Sequence, residues 1–209
     1  LYLYGSTQSV ARTVDPLASW VGIDAKELVL ISEYAGGGFG SKGAGAVSMA
    51  IPALLAKKAN APVMMRISRE EEHYIGRARA GLFGRAKVGF RKDGRIVAMD
   101  FFTIQDNGPY NAQGDHRSAG AMASLNFQPE TFRWRGISVL TNTPPRTSQR
   151  SPGGMQMNAL LDPLMAKASR KLGIDHVELL KLNAPVGKAT YGPVNEKTKK
   201  QAYVTQANV

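Results

Sequence analysis

Cysteine is absent from the 209-residue chain. That absence excludes disulfides, thiolate zinc sites, iron–sulfur clusters and a cysteine nucleophile on this polypeptide. Histidine is scarce: His73, His116 and His176 stand far apart, without metal-ligand spacing. A metal held by protein side chains is therefore not expected, and any metal should arrive inside a cofactor. Acids are outnumbered, with 16 Asp and Glu against 27 Lys and Arg and a net charge of +11. No apolar run is long enough to span a membrane. The first residues carry neither Met nor a charged leader. Leu1-Tyr-Leu-Tyr4 opens directly as a strand, which suggests a chain that begins inside a fold.

What remains is ordinary for a globular protein, at 43% hydrophobic and 21% charged residues. The length suffices for one core or two small ones. The densest basic stretch runs through Arg77, Arg79, Arg85, Lys87, Arg91, Lys92 and Arg95. It lacks aromatics interleaved at stacking spacing, and no nucleic-acid-binding motif accompanies it. It reads as a solvated face or a surface for an acidic partner, not as a nucleic-acid site.

Strand-like and helical segments alternate. Residues 1–6 read as a strand, Ser9–Val21 as a helix with Pro16 near its first turn, and Leu28–Ser32 as a second strand. Ala44–Asn60 reads as a helix with a kink at Pro52, and Val63–Ser68 as a short strand. Lys92-Asp-Gly94 between two apolar alternations marks a hairpin joining Gly84–Arg91 to Arg95–Gln105. Ile137–Asn142 reads as a strand. Asn158–Leu172 reads as a helix capped by Gly173, followed by a second from Asp175 to Asn183. The class is α+β (mixed α/β), in two lobes of mixed sheets with packed helices. The lobes should meet near residues 60–70, with a polar tail or linker over 186–209.

The most informative run is Gly36-Gly-Gly-Phe-Gly-Ser-Lys42, between a strand and a helix. Glycines there let the backbone take positive φ and press against a flat or anionic ligand. A phenylalanine in such a loop suggests a wall against a planar group. It is not a P-loop, because Ser41 precedes Lys42 and Gly43 follows it. It is not a dinucleotide fingerprint either, since Ser41 stands in place of the third glycine and no acid lies between Glu33 and Glu70. Two further loops carry residues that packing does not require. One is Gly5-Ser-Thr-Gln8, whose glutamine offers both a donor and an acceptor. The other is Asn142 to Gln156, where Pro144-Pro145 precedes Arg150 and a Gly153-Gly154 turn. An arginine there can present a planar fork to a phosphate or oxygen-rich ligand.

Together these loops resemble the molybdenum hydroxylase family: the large molybdopterin-binding subunits of xanthine dehydrogenases, aldehyde oxidoreductases and related bacterial enzymes. The resemblance runs from about Tyr2 to Ala184. It is carried by Ser6-Thr-Gln8, Gly36–Lys42, Arg66-Ile-Ser-Arg-Glu-Glu71, Asp93-Gly-Arg-Ile-Val-Ala98, Thr141-Asn-Thr-Pro-Pro-Arg146, Arg150-Ser-Pro-Gly-Gly154, and Leu172-Gly-Ile-Asp175 through Asn183-Ala184. It implies that residues 1–185 form a molybdopterin-binding domain. Gln8 is then the glutamine hydrogen-bonded to a molybdenum oxo ligand, and no protein side chain ligates the metal. Gly37, Gly38, Phe39 and Gly40 form the loop beside the metal and pterin, and Arg150 flanks the metal from the opposite side. Phe39 and Gly43 border the substrate cavity, with Arg135 and Arg133 as candidate sources of charge nearby.

The departures from the family pattern narrow the expectation. Purine-oxidising members place a glutamate where Gly43 stands, and copper-dependent carbon monoxide dehydrogenases need a cysteine this chain lacks. Ser151-Pro152 replaces the aromatic clamp of many eukaryotic members. The family's general-base glutamate follows a Gly-x-Gly in the other half of the subunit, and none of the 16 acids here has that context. Glu33 is read as a structural residue within a strand. The resemblance therefore implies the N-terminal half of a molybdenum subunit, inactive alone, that oxidises an aldehyde or a non-purine N-heterocycle with its partners. A non-catalytic cofactor-binding or assembly module is the alternative. The implied cofactor is molybdenum–molybdopterin, in the cytosine dinucleotide form. Implied partners are the C-terminal half of the subunit, an iron–sulfur subunit, and an FAD subunit or cytochrome. The compartment expected is the cytoplasm, with the periplasm second.

Overall fold

The computed structural model describes residues 1–110 and 114–207. The chain divides into two compact units. The first comprises residues 1–79, 108–110 and 142–150, and the second 80–107, 111–141 and 151–209. The main crossing thus falls at Arg79/Ala80, later than the 60–70 region expected from sequence.

In the first unit, β1 (Tyr2–Tyr4) pairs in parallel with β2 (Val29–Ile31), and α1 (Val10–Val21) makes the crossover. Local chemistry fixes α1 at both ends. The Ser9 side chain accepts from Arg12 N–H, and Gly22 takes the left-handed conformation, φ 72°, that closes the helix. Pro16 lies inside α1, not at its first turn as expected. Its cost is a bond from the carbonyl of Arg12, an exposed residue where water can substitute. The helix packs against α2 (Val47–Ala59), and Leu3, Leu17, Ala18, Leu28 and Ala50 form the small core between them. Val63–Ser68 is not a strand: Ser68 instead caps a short helix, α3 (Arg69–Ile75), through a reciprocal bond pair with Glu71. The two-residue strand β3 (Ala78–Arg79) then pairs in parallel with β7 (Arg146–Thr147), which brings the third loop into this unit.

The second unit is built on a three-stranded sheet. The expected hairpin is there, as β4 (Gly81–Phe90) and β5 (Ile96–Asp106), turning at Gly94 with φ 92°. The next strand, β6 (Thr131–Val139), begins six residues before Ile137 and joins β5 in parallel. Two helices, α4 (Asp115–Phe127) and α5 (Gly154–Leu172), contribute Ala119, Ala123, Phe127, Met157, Leu161 and Met165 to a core with Ile96, Met99 and Phe101. The last helix, α6 (His176–Asn183), starts at Asp175, whose carboxylate accepts from Val177 and Glu178 N–H. The segment expected as a loose tail forms an antiparallel pair, β8 (Gly187–Tyr191) with β9 (Ala202–Ala207). It is tied to α4 by Gly192 N–H donating to Ser124 Oγ at 2.8 Å. Backbone pairing supplies the order that its polar side chains did not signal. No described helix is long and apolar enough to cross a membrane.

Candidate functional site

The parallel pairing of β1 and β2 places the loops that follow them, 5–9 and 32–46, at the same carboxyl edge. Ligands in α/β units gather at that edge, because helix starts and loop amides converge there. The two loops are stitched together. Gln8 N–H donates to Lys42 O at 2.8 Å, and Thr7 Oγ1 donates to the same carbonyl at 3.1 Å. The Gln8 side chain reaches back into the glycine loop, where its Oε1 accepts from Gly40 N–H at 2.9 Å and Lys42 N–H at 3.1 Å. Two donors on one atom fix the amide's orientation, so Oε1 is committed inward. Its Nε2 makes no hydrogen bond within the described residues and remains an outward donor.

Gly38 is required by this arrangement. A Cβ there would overlap Gln8 Oε1 and lie 2.5 Å from its Cδ. Gly40, at φ 109°, lies against the backbone of the third loop, where a Cβ would meet Ser148 O and come within 3.1 Å of Gln149 Cα. A Cβ at Gly37 would stand 2.6 Å from the Phe39 ring. Gly36 and Gly37 are exposed, and the N–H groups of Gly36, Gly37, Gly38 and Phe39 find no acceptor among the described residues. Phe39 sits at φ 54°, a conformation that costs an L-residue about 1–2 kcal/mol. The residue is 60% exposed. A strained backbone under an exposed aromatic residue is a combination that packing does not account for.

Arg150 meets this loop directly. Its N–H donates to Phe39 O at 2.6 Å, and its guanidinium carbon lies 4.9 Å from the Phe39 ring centroid. Arg79 holds the Arg150 carbonyl at 2.8 Å. Gly43 closes a turn onto Gly40 O at 3.2 Å and carries no recognition group. Gln8, Gly37, Gly38, Phe39, Gly40, Gly43 and Arg150 thus form one cluster in the first unit.

Other expectations resolve differently. Arg133 and Arg135 are engaged on the second unit's sheet, where both reach Asp100, at 2.7 and 3.6 Å. Glu33 lies just past β2, exposed, and not within a strand. Among the described residues no group of three or more His, Cys, Asp or Glu could hold a metal. A groove of about 860 Å³ in the second unit is lined by Asn126, Phe127, Asn158, Asp162, Leu180 and Lys181 among others, and by none of the seven clustered residues.

Sequence reasoning did not assign the supports beneath the loop. Lys42 Nζ donates to Ser6 Oγ at 2.9 Å and Ala35 O at 3.3 Å, so the ammonium is held by neutral oxygens. Arg77 donates to Ser41 O at 3.4 Å and also to Gly45 O. Burial without a carboxylate lowers its pKa below the usual arginine value. The signal available in the sequence was the lack of any acid from Tyr34 to Arg69, which leaves Lys42 without an acidic neighbour along the chain.

A family model, the molybdopterin cofactor-binding domain, matches residues 1–184. Xanthine dehydrogenase/oxidase of Gallus gallus is 29% identical over 188 residues, 87% of this chain and 14% of that protein. Aldehyde oxidase 4 of Arabidopsis thaliana is 30% identical over 191 residues, 88% of this chain and 14% of that protein. Among solved structures, the aldehyde oxidoreductase from Desulfovibrio gigas matches with a TM-score of 0.82 at 28% identity, over 88% of this chain and 20% of its own. The quinoline 2-oxidoreductase from Pseudomonas putida 86 matches at 0.80 and 22% identity, over 88% and 24%, a likeness of fold. The chain therefore spans only 14% of the length of these curated relatives.

Proposed function

The chain belongs to the molybdopterin cofactor-binding domain family of molybdenum hydroxylases, and from that premise we propose that its glycine loop and Gln8 hold the molybdenum–pterin cofactor of an oxidoreductase. The observation that carries the proposal is the fit between Gly38 and Gln8. The missing side chain at Gly38 makes room for the Gln8 amide, which locks Oε1 onto the loop and leaves Nε2 to donate outward. Beside it, the unpartnered amides of residues 36–39 face an exposed edge, suited to an electron-rich ligand.

When bound, the cofactor supplies the redox and oxygen-transfer chemistry. The chain's own residues bind and orient it. Gln8 donates through Nε2, the loop amides of residues 36–39 donate from the side, and the Phe39 ring shields one wall. Arg150, already bonded to Phe39 O, fixes that wall and adds positive charge. The substrate is an aldehyde or a non-purine aromatic N-heterocycle oxidised with water as the oxygen source. Gly43 supports this choice, since it offers no carboxylate to recognise a purine. The cofactor is the cytosine dinucleotide form, whose added phosphate suits a chain of net charge +11. The general base lies on the C-terminal half of the subunit. The partners are an iron–sulfur subunit, with an FAD subunit or a cytochrome that would supply the further electron acceptors, and the compartment is the cytoplasm, with the periplasm second. A second reading is a non-catalytic cofactor-binding or assembly module of the same fold.

The test uses the complete enzyme. Gln8→Ala removes a donor that stabilises charge as the metal centre is reduced, a hydrogen bond to a charged group worth about 1–3 kcal/mol. It should slow stopped-flow reduction by roughly ten- to hundredfold. Gln8→Glu should be slower still, because it sets a carboxylate against an electron-rich ligand. Wild-type rates in both variants would reject the assignment, and a complex that folds yet never carries molybdenum would favour the module.

A further inference from the structure

The sheet of the second unit has one covered face and one bare face. Inward positions, among them Ala86, Val88, Met99, Phe101, Phe132 and Trp134, pack into the core shared with α4 and α5. A sheet with its other face in water normally alternates to polar residues there. Here the registers set an apolar row across all three strands instead: Phe83 opposite Ile104, and Ile104 opposite Ile137. Phe83 is 58% exposed and Ile137 48%. Val139, next outward on β6, is exposed as well. An apolar row of this kind, exposed at Phe83 and Ile137 with Ile104 half-buried between them, marks an interaction surface, whereas a single exposed apolar residue would not.

The two rows on one side of it are basic, whereas the row on the other side, Gly81, Asp106 and Val139, carries an acid. Arg85 pairs across to Phe102 and Phe102 to Arg135, then Lys87 to Asp100 and Asp100 to Arg133. Arg133 binds Asp100 through Nε at 3.0 Å and a terminal nitrogen at 2.7 Å, which holds that carboxyl below the usual range. On these two rows four cations stand against one carboxylate, and no ion pair or hydrogen bond within the described residues engages the side chains of Arg85 and Lys87.

We propose that this outer face is a docking surface for a partner protein segment that presents an apolar ridge bordered along one side by aspartates and glutamates. The apolar row supplies the area, and the basic rows supply orientation and discrimination. A second copy of this chain is disfavoured, since a two-fold contact would set the same cations against each other. Nucleic acid is disfavoured too. Stacking needs free aromatic faces, whereas the apolar row is largely aliphatic and the Phe102 ring already lies under Arg135, 5.5 Å from its guanidinium carbon. The docking face is independent of the cofactor assignment, because every residue in it lies in the second unit's sheet.

The native complex tests it by surface labelling and zero-length cross-linking. Lys87 should acetylate about tenfold more slowly than Lys92 at the hairpin turn, because an occupied interface excludes solvent. Carbodiimide should join Lys87 to an aspartate or glutamate in a partner segment that also carries large apolar residues. Arg133→Glu with Arg135→Glu should restore Lys87 labelling and abolish the link. Should that variant fail to fold, hydroxyl-radical oxidation of Phe83 in the unaltered complex decides: protection supports the proposal, and oxidation at the unfolded-chain rate overturns it. Labelling of Lys87 at the Lys92 rate, a link between two copies of this chain, or protection that nuclease removes would each overturn it.

Discussion

Gly36 and Gly37 of the first unit are exposed, whereas Gly153 and Gly154 of the second are buried. Both glycine turns precede a helix and both use positive φ, 57° at Gly36 and 74° at Gly153. Their surroundings differ. Gly153 is the N-cap of α5, its N–H donates to Gln156 Oε1 at 3.0 Å, and Gln156 Nε2 donates onward to Ala80 O at 3.0 Å. A Cβ on Gly153 would overlap Asp115 O and come within 2.6 Å of Ala119 N. A Cβ on Gly36 would meet nothing within 4 Å. Glycine-rich composition therefore has two separate uses in one chain: close backbone packing in one unit, and an open row of donors in the other.

Substitutions should separate the two turns by size of effect. Gly153→Ala combines left-handed strain with overlap against fixed backbone atoms and should destabilise the protein by about 3 kcal/mol or more. A lowered denaturant midpoint for the second unit is the expected reading, and a wild-type midpoint would erase the contrast between the turns. Gly36→Ala meets open space and should cost only the left-handed penalty, about 1–2 kcal/mol. A loss as large as that at Gly153 would show that the open loop is packed after all. Phe39→Ala gives up the arginine–ring contact, worth about 0.5–1 kcal/mol at an exposed site. Cofactor content should stay near wild type while KM and substrate selectivity shift, as for a wall that borders a cavity. Outright loss of molybdenum would instead assign Phe39 to cofactor holding.

Elements with local chemical signals are legible in the amino-acid sequence. Ser9 and Gly22 bound α1, Asp93-Gly94 turns the hairpin, and Gly173 with Asp175 divides α5 from α6. Missed elements lack such signals or depend on distant partners. The helix α4 has no side-chain cap and is rich in small residues, yet Ala119, Ala123 and Phe127 recur every fourth position and are all buried. That spacing was the available clue. Gly120 adds a reason the composition misleads: a Cβ there would stand 2.6 Å from the Trp134 ring, so the helix takes a poor helix former to admit the ring. The parallel partner β6 takes its register from β5, which no local pattern announces. The pairing of β8 with β9 is hidden by a polar, lysine-rich composition.

Within the candidate site, the residues are readable and their couplings are not. The run Gly36–Lys42 and the isolated Gln8 can be picked out separately, but not that Gln8 Oε1 spends both its acceptor positions on that run. Likewise Arg150 is visible as a candidate, while its bond to Phe39 O depends on β3 and β7 meeting across 66 intervening residues, 80 to 145. Such contacts belong to the tertiary fold, so they are invisible to spacing alone.

Position 38 is glycine, on this account, to seat the Gln8 amide, and that pairing holds the cofactor. The direct measurement is the molybdenum-to-protein and pterin-to-protein ratio of the complete enzyme carrying Gly38→Ala, beside its thermal midpoint. A Cβ there pushes only against a flexible side chain, so the fold should hold to within about 1 kcal/mol. Displacement of the amide should lower cofactor occupancy about tenfold, equivalent to about 1.4 kcal/mol of binding free energy. Full cofactor occupancy in a folded Gly38→Ala enzyme would contradict the pairing's role.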